Sequence, residues 1–202
     1  MIRLASRAPS NQRPPLDVRA ALLTAAQEEL NEHGHAGISL RAVARRAGVS
    51  HAAPKHHFGD RAGLLTAVAT EGFRRLTTAL DGVRATDPVD RLTTLGRAYV
   101  DFGLAHLALF DLMFRTVELD PADRDLRRAQ EASIAPLGLA AAGLRTGDPA
   151  MLTVLAWALV HGLVVLTRDG ALHDPERPGD SNADAVLSHR AITALGSLVR
   201  PA

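Results

Sequence analysis

Residues 39–58, SLRAVARRAGVSHAAPKHHF, constrain this chain more than any other stretch. Ser39 has the side chain of a helix N-cap, and Leu40, Val43, Ala44 and Ala47 follow at helical spacing as one apolar face. Gly48 ends that helix. Ser50 is the next cap candidate, and a short helix is expected from there to Phe58, with Pro54 tolerated in its first turn. This second helix has almost nothing to bury beyond Ala52, Ala53 and Phe58; the rest of it is polar and basic. A short helix that cannot bury itself, between amphipathic helices that can, is displayed rather than packed. A helix, a tight turn and a displayed helix form a helix-turn-helix, whose second helix enters the DNA major groove.

The rest of the chain follows the same period. Val18, Leu22, Leu23, Ala26 and Leu30 form an apolar stripe that stops at Gly34, a C-cap candidate. Gly59 and Asp60 read as a turn and a cap, and a fourth helix is expected from 61 to about 83. Further helices are expected over 89–106, 107–119, 121–144 (kinked at Pro136), 149–167 and 182–199. Asp-Pro pairs at 87–88, 120–121 and 148–149 supply the starts. The Asp-, Pro- and Gly-rich segment 169–181 reads as a loop, and no segment alternates with period two over a strand's length. The expected fold is all-α: an N-terminal three-helix helix-turn-helix domain over 16–76, joined by the fourth helix to a larger C-terminal helical bundle over 85–202. The first 15 residues, with Pro9, Pro14 and Pro15, read as a disordered basic arm. Arg3, Arg7, Arg13 and Arg19 make it either a minor-groove arm or an unbound solubilising tail.

Charge separates the two parts. Residues 1–75 carry 11 basic and 6 acidic side chains, whereas residues 76–202 carry 12 and 16, so a net +5 module is joined to a net −4 remainder. That is the pattern of a polyanion-binding module on a different kind of domain. The chain has no cysteine, which excludes disulfides and thiolate metal sites. The N-terminus has no continuous apolar run of signal-peptide length, and no stretch reaches the ~18 uninterrupted apolar residues of a membrane span. A soluble cytoplasmic protein with no membrane partner is expected.

The residues between Leu22 and Leu65 resemble those of TetR-family transcriptional regulators. The likeness is carried by Ala25-Ala26 and Gly34, by Ser39-Leu40-Arg41 and Val43-Ala44, by Ala47-Gly48-Val49-Ser50 at the turn, and by His57-Phe58 and Leu64-Leu65. The family usually has tyrosine where this chain has Lys55, its only lysine, and lysine where it has Arg61. Both positions commonly touch phosphate in the family. Lys55 exchanges a phenol for a salt-dependent cation, and Arg61 keeps the charge. The resemblance implies a double-stranded DNA surface made of Ser39, Leu40 and Arg41, of Ser50, His51, Ala52, Ala53, Lys55, His56 and His57, and of Arg61. His51, near the start of the short helix, is placed to read base edges. Lys55, His56 and His57 are placed for the backbone, or His57 packs under the motif. A metal is disfavoured here: His51 and His56 are five apart and His56 and His57 adjacent, whereas two helical ligands need spacings of three or four.

The C-terminal part resembles a TetR subtype marked by a tryptophan-histidine-glycine motif, here Trp157, His161 and Gly162, and by an H-x-x-L-F-x-L-M-F segment, here 106–114. This implies a ligand-sensing and dimerisation domain. Tyr99, Phe102, His106, Phe110, Met113, Phe114, Trp157 and His161 are either the lining of an effector pocket or plain core. A metal or haem between His106 and His161 is chemically feasible; no cofactor is expected. No enzyme is expected either: G-x-S-x-G, G-x-x-x-x-G-K-[ST] and H-E-x-x-H are all missing. The carboxylates Asp60, Asp87, Asp120 and Asp148 stand where capping explains them.

The expectation is a homodimer formed through the last two helices, acting as a repressor on a pseudo-palindromic operator and released by a small-molecule effector. An activator or ligand-independent regulator with a packed core, and a helical interaction protein without DNA binding, are the alternatives.

Overall fold

The computed structural model describes residues 17–144, 147–172 and 181–199. The basic arm and most of the expected 169–181 loop lie outside these residues. Nine α-helices and one 3-10 turn occur among the described residues, with no strand. They are α1 (Val18–Gly37), α2 (Leu40–Arg46), α3 (Ala53–Phe58), α4 (Arg61–Asp81), α5 (Pro88–Ala105), α6 (Leu107–Met113), η1 (Thr116–Glu118), α7 (Arg124–Gly143), α8 (Pro149–Arg168) and α9 (Ser181–Val199).

Capping explains most of the boundaries. Asp17, Ser39, Asp60, Asp87, Asp123 and Asp148 each accept a bond from the backbone N–H three residues on. Each such cap contributes about 0.5–2 kcal/mol. Glycines in the left-handed region make the turns: Gly48 (φ 66°) between α2 and α3, and Gly59 (φ 77°) after α3. Gly34 (φ 66°, ψ 174°) breaks the regular winding of α1 where the stripe ends, and one further turn follows it.

Three boundaries differ from expectation. Ser50 does not cap α3, which starts at Ala53 with no side-chain cap; Pro54 in its first turn reduces the number of N–H groups left to satisfy. The expected helix over 107–119 stops at Met113, because Phe114 (φ −105°, ψ 7°) leaves helical geometry and η1 follows. The next helix is capped by Asp123, not Asp120. Asp120 instead folds onto its own turn, accepting from Ala122 N at 2.8 Å while its N–H donates to Thr66 Oγ1 at 2.9 Å. Pro136 is buried within α7, which continues through it to Gly143.

A continuous core joins the N-terminal helices to the bundle. Leu22, Leu30 and Val43 close on Leu64, Leu65 and Val68 from the first half of α4, all essentially solvent-free. The second half of α4 buries Phe73, Leu76 and Leu80 and packs along α7. One helix therefore belongs to both parts. Glu29, buried on α1, receives Arg46 Nε at 2.7 Å, which ties α1 to α2. α8 packs on α5, α7 and α9. Among the described residues it is the one helix long and apolar enough to cross a membrane by length and composition, at a mean hydropathy of 2.1. It leaves Met151, Val154, Leu155 and Leu166 exposed, as α9 does Val186 and Leu198.

Candidate nucleic-acid interface and ligand cavity

α3 presents its polar side to solvent. Pro54 is buried and Phe58, four residues on, half-buried, so this face anchors the helix to the domain. Ser50, His51, Ala52, Lys55, His56 and His57 are exposed, and Ala53 is half-buried. Ser39 and Arg41 are exposed at the start of α2, with Leu40 half-buried between them. The His56 and His57 rings meet edge to face at 5.3 Å, and Arg19 lies 5.5 Å from the centre of the Phe58 ring. His57 is thus open to solvent rather than packed beneath the motif.

Arg61 is half-buried, and its guanidinium is hydrogen-bonded within the protein. Its Nε donates to Ile38 O at 3.2 Å and its Nη2 to His35 O at 2.6 Å, at the end of α1. Its Nη1 donates to Glu118 Oε2 at 2.8 Å on η1. The other Glu118 oxygen lies 3.0 Å from His35 Nδ1. The Arg61 hydrogen bond, chiefly, holds the Glu118 carboxyl below the ordinary glutamate range, with the Arg61 and His35 charges adding to it. The arginine expected to touch phosphate ties α1 and α4 to η1. A lone sequence gives no sign of this, because Glu118 is 57 residues away.

Beyond the second half of α4 lies a cavity of about 390 Å³. Phe73, Leu76 and Leu80 of α4 form one wall; Leu95, Gly96 and Tyr99 of α5 form another. Met113, Phe114 and Thr116 close the α6–η1 side, Ile134 and Leu137 with Gln130, Glu131 and Ser133 the α7 side, and Trp157 and Val160 the α8 side. Four of the eight expected residues line it: Tyr99, Met113, Phe114 and Trp157. Phe110 and His161 support these from behind. His161 Nδ1 is 3.1 Å from the Tyr99 hydroxyl, and the Phe110 ring centre is 4.9 Å from that of Phe114 and 5.2 Å from that of His161. Phe102 and His106 do not line the cavity. They pair with each other at 5.0 Å, where the chain turns between α5 and α6, and His106 is exposed. The α7 wall was missed because the alanines between its larger residues blur the stripe.

The polar centre of the wall is the Tyr99 hydroxyl, which accepts from Trp157 Nε1 at 3.3 Å. Burial raises the Tyr99 pKa well above the ordinary tyrosine value, with the Trp157 bond opposing it. Burial, and after it the Arg168 charge, lowers that of His161. Both rings are therefore neutral near pH 7. Among the described residues no group of three or more His, Cys, Asp or Glu is placed to hold a metal ion.

Comparison with known proteins agrees with this architecture. Residues 22–68 match the family model described as "Bacterial regulatory proteins, tetR family", and residues 92–189 match "Tetracyclin repressor-like, C-terminal domain". The chain is 28% identical over 138 residues to the HTH-type transcriptional regulator Rv1816 of Mycobacterium tuberculosis. That match covers 65% of this chain and 59% of the relative, so it spans less than two thirds of the relative's length. A structure of a protein with unknown function from Rhodococcus sp. RHA1 is 32% identical, covers 96% of this chain and 97% of its own, and superposes with a TM-score of 0.76. A putative TetR-family transcriptional regulator from Rhodococcus sp. is 25% identical, covers 88% and 97%, and gives a TM-score of 0.63. An exposed, basic α3 on a packed helix-turn-helix, continued by α4 into a hollow helical domain, thus coincides with both family matches: the chain belongs to the TetR family of DNA-binding transcriptional regulators.

Proposed function

We propose that this regulator is a ligand-responsive repressor that acts as a homodimer in the compartment that holds its DNA. The observation that carries the reading is the division of α4, whose first half is core to the helix-turn-helix while its second half walls the cavity. A molecule that fills the cavity presses on Phe73, Leu76 and Leu80, and any rotation of α4 moves α3 with it. DNA affinity then falls to the extent that the ligand binds the DNA-incompetent arrangement more tightly. A packed C-terminal core would have favoured a ligand-independent regulator instead.

The exposed apolar residues on α8 and α9 support the dimer. Leu155 and Val186 are exposed and Leu159, Leu187 and Leu195 half-buried, so two such helix pairs form a four-helix interface. Ile192, also on α9, is spent inside the protomer, where Gly96 lets it pack against α5. Two copies of α3 related by a two-fold axis call for a pseudo-palindromic operator. On each half-site His51 faces base edges, while Lys55, His56 and Arg41 face the phosphates. Occupying a promoter in this way blocks polymerase. The test is titration of the chain against its own upstream DNA at several salt concentrations. Tight, saturable binding to one pseudo-palindrome supports the reading, and weak binding indifferent to sequence contradicts it.

A further inference from the structure

We propose that the cavity takes an uncharged, largely apolar molecule carrying one hydroxyl or carbonyl group, which Tyr99 recognises by a hydrogen bond. The inference rests on the cavity being the effector site. At about 390 Å³ the space suits a small organic molecule. Its walls are mostly aliphatic and aromatic, so most of any occupant must be apolar to replace the contacts they lack.

Of the polar residues on the wall, Thr116 and Glu131 are exposed and Gln130 and Ser133 half-buried, whereas Tyr99 is buried, which makes its hydroxyl the one that gains most from a ligand partner. A phenol has one proton and two lone pairs. Trp157 Nε1, a donor only, occupies one lone pair. His161 Nδ1 takes either the proton or the second lone pair, according to its tautomer. In both cases one bonding position remains on the hydroxyl of this lining residue, and a ligand hydroxyl, able to donate or accept, meets either case. Charge is selected against. No arginine, lysine or histidine lines the cavity, so an anion entering it gives up hydration with no cation in return. Glu131, its one carboxylate, is exposed and water-screened, which leaves an ammonium with little compensation. The neutral state of His161 agrees.

Calorimetric titration of the full chain with naphthylmethanol, naphthoate, naphthylmethylammonium and naphthalene tests this, because one ring system then carries each kind of polar group. Naphthylmethanol is expected to bind at least about tenfold more tightly than either ion. Tyr99→Phe should weaken it roughly fivefold to tenfold and leave naphthalene within about twofold. Trp157→Phe keeps the Tyr99 hydroxyl and should preserve the preference for alcohol over hydrocarbon, which separates recognition from damage to the wall. Equal or tighter binding of either ion, an equal loss of alcohol and hydrocarbon in Tyr99→Phe, or no binding of any probe overturns the proposal. DNA affinity measured alongside keeps the two readings apart. Naphthylmethanol that binds as expected yet leaves DNA affinity unchanged defeats the effector reading alone. Naphthoate that binds and releases DNA defeats the chemistry alone.

Discussion

Lys55 and Arg61 carry the same charge and stand six residues apart, yet the structure gives them opposite work. Lys55 projects into solvent from α3, while the guanidinium of Arg61 is committed to two carbonyls and a carboxylate. Lys55→Ala should therefore weaken DNA binding and lower the slope of log affinity against log salt by about one per protomer, read by fluorescence anisotropy. Arg61→Ala should leave that slope unchanged and cost about 1–3 kcal/mol of stability, because two part-buried carbonyls lose a charged donor. Glu118 adds a pH signature. Its folded pKa lies below the ordinary 4.5, so it contributes stability above that value and loses it as pH falls through the folded value. Glu118→Gln should lower the melting temperature at pH 7 by an amount worth about 1 kcal/mol or less, and the gap to the parent chain should close in acid. Residue types and spacing made the displayed helix legible. The fate of Arg61 was not, because its partners come from the end of α1 and from η1, brought together only by the tertiary fold.

At the scale of elements, the sequence was most informative where a cap, a glycine and an apolar stripe agreed. α2, α4, α5 and α8 begin at the capping side chains the sequence marks. It misled where two caps competed, as Asp120 and Asp123 do three residues apart, and where a stripe ran on through a change of direction, as at Phe114. Close helix contacts were invisible until the elements were placed. Gly103 on α5 faces α8 so tightly that an added Cβ would lie 2.7 Å from both methyl carbons of Val164. Val164 is fully buried and stiff at χ1, so it cannot swing aside. Gly103→Ala should cost about 1–3 kcal/mol in chemical denaturation, and a neutral result would show that α5 and α8 can separate. On the outer side of α8, Leu155 is 59% exposed. Leu155→Arg should leave the protomer folded and shift sedimentation toward monomer, with DNA binding weakened because the two half-sites are no longer read together.

For the whole molecule, the central claim is that the cavity and the DNA surface form one mechanical unit through α4. The part of the cavity wall that the sequence marked, Tyr99, Met113, Phe114 and Trp157, sits on or beside α5, α6 and α8. Much of the rest comes from α4 and α7, whose side chains face the same space only after the bundle closes. In the proposed mechanism, that shared wall is how an occupant acts on DNA binding without touching α3. The most direct measurement is DNA affinity for the upstream pseudo-palindrome, taken at fixed salt with the cavity empty and then saturated with naphthylmethanol. The account predicts a fall in affinity of at least about tenfold, near 1.4 kcal/mol of coupling, with the dimer intact. Unchanged affinity with the cavity demonstrably filled would contradict it.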